Sequence, residues 1–128
     1  MKIFEQNELI AIYKMAEKMV WADEKVMPEE IAVVEETITQ ISTGSELGFH
    51  NLKESSLLMT DEECIGHIAF LNYEQKKFIS AFLGTISSSD GDIDEKELEL
   101  WRDICDKCDL PIMSNRQAIE IFQSYIRL

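Results

Sequence analysis

No stretch of this 128-residue chain holds the roughly 18–20 unbroken apolar residues that a membrane-crossing helix needs. The start, Met1-Lys2-Ile3-Phe4-Glu5, turns acidic at once and lacks the apolar core of a secretory signal. Cysteine is scarce and odd in number, with three residues. That suits a reducing compartment better than a disulfide framework, and the expected location is cytoplasmic. Basic residues are scarce too, 12 against 25 acids for a formal net charge of −13. Such a field repels nucleic acid and anionic membrane surfaces, so neither is an expected partner. No glycine-rich phosphate loop occurs, and Gly91 stands among acids that would repel a phosphate. The two histidines, His50 and His67, neighbour no nucleophile–acid pair. Nothing therefore singles out a catalytic triad, and no enzymatic activity is expected.

What is present is an apolar fraction of 45%, enough for a folded chain, and a length that fits one domain over 1–128. The apolar spacing is helical almost throughout. Leu9, Ile12, Ala16, Met19 and Val20 form one stripe. Ile31, Val34, Ile38 and Ile41 form a second, after Pro28, a residue suited to a first helical turn. Cys64, Ile65, Ile68 and Leu71 form a third, and Phe78, Ile79, Phe82, Leu83 and Ile86 a fourth. Leu98, Trp101, Ile104, Cys105 and Cys108 form a fifth, and Ile119, Phe122, Tyr125 and Ile126 the last. Thr60 with Glu63, Ser114 with Gln117, and Asn72 with Gln75 have the spacing of capping boxes. Residues 45–59 fit neither the helical nor the strand period and read as a helix or a packed loop. Trp21 and Trp101 are expected to serve core or edge packing rather than recognition.

The sequence also repeats. Shifted by 67 residues, Ile12 falls on Ile79, Ala16 on Leu83, Met19 on Ile86, Asp23 on Asp90, Glu30 on Glu97, Val34 on Trp101 and Ile38 on Cys105. Each copy reads as an apolar helix, a short acidic turn and a second apolar helix. The expected fold is thus all-α, a compact bundle of about six or seven helices with an internal pseudo-twofold helix–acidic turn–helix repeat.

The acid is concentrated at those turns. Residues 17–36 carry seven acids and residues 90–106 carry eight. The turns read Ala22-Asp23-Glu24-Lys25-Val26-Met27-Pro28-Glu29-Glu30 and Ser89-Asp90-Gly91-Asp92-Ile93-Asp94-Glu95-Lys96-Glu97. An Ala/Ser-Asp-Gly-x-Ile/Val turn followed by a Glu, between amphipathic helices and present twice, resembles the TerB family of tellurite-resistance proteins. The amino-terminal region of the DjlA co-chaperones is similar. The resemblance runs from about Leu9 to Cys108. It implies an all-helical fold, a stress or tellurite-resistance setting, a protein partner, a cation site at the acidic turns, and no catalysis. No His-Pro-Asp tripeptide occurs, so a J-domain is not part of the likeness. The first turn departs from the pattern: Glu24 replaces the glycine, and Lys25 stands where the second copy has Asp92. Glycine tolerates a positive φ that glutamate does not, and lysine brings the wrong charge.

Asp90, Asp92, Asp94 and Glu97 are accordingly the candidate metal ligands, with Asp23 and Glu30 the weaker pair. Their hard oxygens suit Ca²⁺ or Mg²⁺. A standard EF-hand does not fit. With Gly91 at the loop's glycine, the first ligand position falls on Ile86, or on Met19 in the first copy, where calcium needs an oxygen donor. A competing account needs no metal: Asp94 as an N-cap, Glu97 as its capping-box partner, and acids in a first turn favoured by the helix dipole. Cys64-x-x-His67 and Cys105-x-x-Cys108 supply four potential zinc ligands. Both pairs lie inside predicted helices on apolar stripes, where free cysteine packs as a small hydrophobe. The expected function is a non-enzymatic binding or scaffold module, with a zinc-stabilised or cysteine-based redox module as the alternative.

Overall fold

The computed structural model describes residues 4–22, 27–42, 49–88 and 95–126, with the backbone alone at Phe49 and His50. Seven helices lie within these ranges, and no strand occurs among the described residues. They are α1 (Gln6–Val20), α2 (Pro28–Ile41), α3 (Phe49–Leu58), α4 (Asp61–Ala69), α5 (Tyr73–Ser87), α6 (Glu95–Cys108) and α7 (Asn115–Tyr125).

Local chemistry sets the helix starts. Thr60 Oγ1 accepts the Glu63 amide and Glu63 Oε1 accepts the Thr60 amide, each at 3.1 Å. Asn72 with Gln75 and Ser114 with Gln117 close the same reciprocal pair at α5 and α7. Two otherwise orphaned amides are satisfied at each start. Pro28 occupies the first turn of α2. α6 stops after Cys108: Asp109 takes a positive φ of 55°, and the Leu110 amide reaches back to the Cys105 carbonyl at 2.9 Å. This is a Schellman-type end, with Pro111 placed where a helix cannot resume. Of the segment that fits no period, residues 45–48 lie outside the described residues and Phe49–Leu58 is helical. Among the described side chains of α3, Leu52 and Ser56 are buried and Leu57 and Leu58 are exposed, so the apolar residues from 52 to 58 trace no stripe.

The repeat extends to the element bounds. α1 and α5 are offset by 67 residues at both ends, as are α2 and α6. The buried residues of α2 are Glu30, Val34, Thr37, Ile38 and Ile41. Those of α6 are their images Glu97, Trp101, Ile104, Cys105 and Cys108. Packing follows suit: α1 packs on α2 and α3, as α5 packs on α6 and α7. α1 touches α6 as α5 touches α2, and α1 and α5 meet in the middle. α4 has no image. It joins the halves and packs on α1 and α6.

α1 and α5 are the central pair. α5 buries every residue from Phe78 to Gly84, the all-round burial of a helix surrounded by others. Phe78 stacks on Phe82 and Phe122 with centroids 6.2 Å away in each case, and meets Tyr125 edge-on at 5.6 Å.

Candidate functional site

Of the sequence-derived candidates, Asp23, Asp90, Asp92 and Asp94 lie outside the described residues. Glu30 and Glu97 are described, and both are buried, at 1% and 3% exposure. Each sits in the first turn of its helix, α2 or α6, directly after an acidic turn. Glu30 Oε1 accepts the Met27 amide at 3.3 Å, the arm of a capping box that a glutamate supplies. Burial of a carboxylate is costly unless positive potential meets it, and the helix start provides part of that. The fold therefore holds one buried carboxylate at the same place in each half.

Ile86 and Met19, at the first ligand position of a notional EF-hand, are fully buried inside α5 and α1. A calcium loop cannot begin there.

The cysteines are free and buried. Cys64 Sγ donates to the Ala11 carbonyl at 3.1 Å. Burial pushes its thiol up to about 12 and that of Cys108 up to about 11. Cys105 is raised as well by burial, opposed by its contact with the Ser80 hydroxyl. The thiolate is the nucleophile and the metal ligand, so these environments disfavour both uses. Among the described residues, no group of three or more His, Cys, Asp and Glu side chains is placed to hold a metal ion. Cys64, His67, Cys105 and Cys108 all fall within that set.

The sequence reading missed a cleft of about 630 Å³ between α1, α2 and α3. Tyr13, Glu17, Val34 and Leu57 line it, with Trp21 and Ile31 at its edge. Glu17 organises the wall, because Oε1 accepts the Tyr13 hydroxyl at 2.6 Å and Oε2 the Trp21 indole N–H at 3.2 Å. Burial, then that bond, raises the Tyr13 phenol above its usual range. Of the two tryptophans, Trp101 lies in the core, 4% exposed, and Trp21 at an edge, 60% exposed. Trp21 lies one residue past the end of α1, beyond the reach of the stripe. Ile31, assigned to the second stripe, is also exposed, at 39%. The available signal was a mismatch between the repeats, which pair Val34 with Trp101 and Glu17 with Gly84.

No helix among the described residues is long and apolar enough to cross a membrane. No protein-family model and no curated protein matches the chain. The crystal structure of a protein of unknown function, PG1108 from Porphyromonas gingivalis W83, superposes with a TM-score of 0.80 at 35% identity. The match covers 97% of this chain and 99% of that one. Near-complete mutual coverage at this identity places the chain in the same family as PG1108.

Proposed function

We propose that this protein is a non-enzymatic, TerB-like acidic binding module that takes a divalent cation, Ca²⁺ or Mg²⁺, at its acidic turns and recruits a protein partner. The observation that supports it is the paired burial of Glu30 and Glu97 at equivalent helix starts. Each carries a hard oxygen donor on the last residue of its turn motif, the donor type these ions prefer. The second turn is the stronger site, because Gly91 and Asp92 stand there in place of Glu24 and Lys25. A role in stress or tellurite resistance rests on the family resemblance alone. The zinc or redox alternative has less support, since burial holds the three thiols protonated.

Calorimetric melting tests the reading. A ligand at about a hundred times its Kd stabilises a fold by about 2.7 kcal/mol. Millimolar Ca²⁺ or Mg²⁺ should raise Tm beyond NaCl of matched ionic strength. Asp90→Asn or Asp92→Asn should remove most of that increment, and Asp23→Asn should leave most of it. An increment from Zn²⁺ alone, lost with Cys105→Ser, would favour the alternative. No ion-specific increment would sink the cation half of the proposal.

A further inference from the structure

We draw no further inference here: the strongest candidate, the exposed apolar rim that Trp21, Ile31 and Leu57 form around the cleft between α1, α2 and α3, is flanked by charges of both signs, and nothing in the structure shows what covers it.

Discussion

Gly84 and Gly66 both lie within helices, α5 and α4, and should answer a methyl group with opposite signs. Alanine normally gains about 1 kcal/mol over glycine in a helix interior. At Gly66 nothing stands within 4 Å of an added Cβ, so Gly66→Ala should stabilise by about 0.5–1 kcal/mol. At Gly84 the methyl meets Trp101 and Ala118 at 2.5–2.7 Å. The ring is buried and tied to Ser80, so it cannot swing away cheaply. Gly84→Ala should cost about 1–3 kcal/mol net, and urea titration of both variants checks the pair. The thiols make a second residue-scale prediction. Cys64 and Cys108 titrate at about 12 and about 11 when folded, against 9.0 ordinarily. Between those values the unfolded chain has lost protons that the folded chain keeps, so rising pH favours unfolding. Their contribution is complete below pH 9 and lost as pH rises towards 11 to 12. Chemical-denaturation midpoints should fall above pH 9, and by less in Cys64→Ser with Cys108→Ala. A midpoint independent of pH in that window would refute the assignment.

At the scale of elements, ends were more legible than middles. Three capping boxes could be read from spacing because a cap involves residues three apart, whatever the rest of the chain does. Thr60→Ala and Ser114→Ala should each cost about 0.5–2 kcal/mol. The end of α6 was marked only by Pro111, and the strained residue before it could not be foreseen. Asp109 holds φ at 55° and spans 3.1 Å to Lys76 with an almost fully exposed carboxylate. An exposed pair contributes about 0–1 kcal/mol, whereas a left-handed non-glycine residue costs about 1–2 kcal/mol. Asp109→Gly should therefore stabilise by up to about 1 kcal/mol in thermal melts. α3 is the least legible helix. Of its described side chains Leu52 and Ser56 are buried, whereas α5 buries every residue from Phe78 to Gly84, so the amides of α3 should exchange faster than those of α5 in native-state hydrogen exchange.

At the scale of the molecule, α1 and α5 share the buried core, and the described aromatic contacts gather around α5. Phe78 touches Phe4, Phe82, Phe122 and Tyr125. Phe78→Ala should cost about 3–5 kcal/mol, while Leu57→Asp on the cleft rim should change stability by less than about 0.5 kcal/mol. The all-α class, the duplication with its 67-residue offset and most of the buried stripes were determined by the sequence itself. Periodicity, caps and repeat spacing are local or one-dimensional properties, and they survive without knowledge of what faces what. Two things were decided only by tertiary structure. One is that Glu30 and Glu97 are buried rather than solvated, because a first-turn glutamate looks the same in sequence whether its helix start faces water or the interior. The other is the cleft. A valine facing a glutamate and a tryptophan facing a glycine are both ordinary helix residues. Only the distance between packed helices shows that one pair fills its space and the other leaves it open.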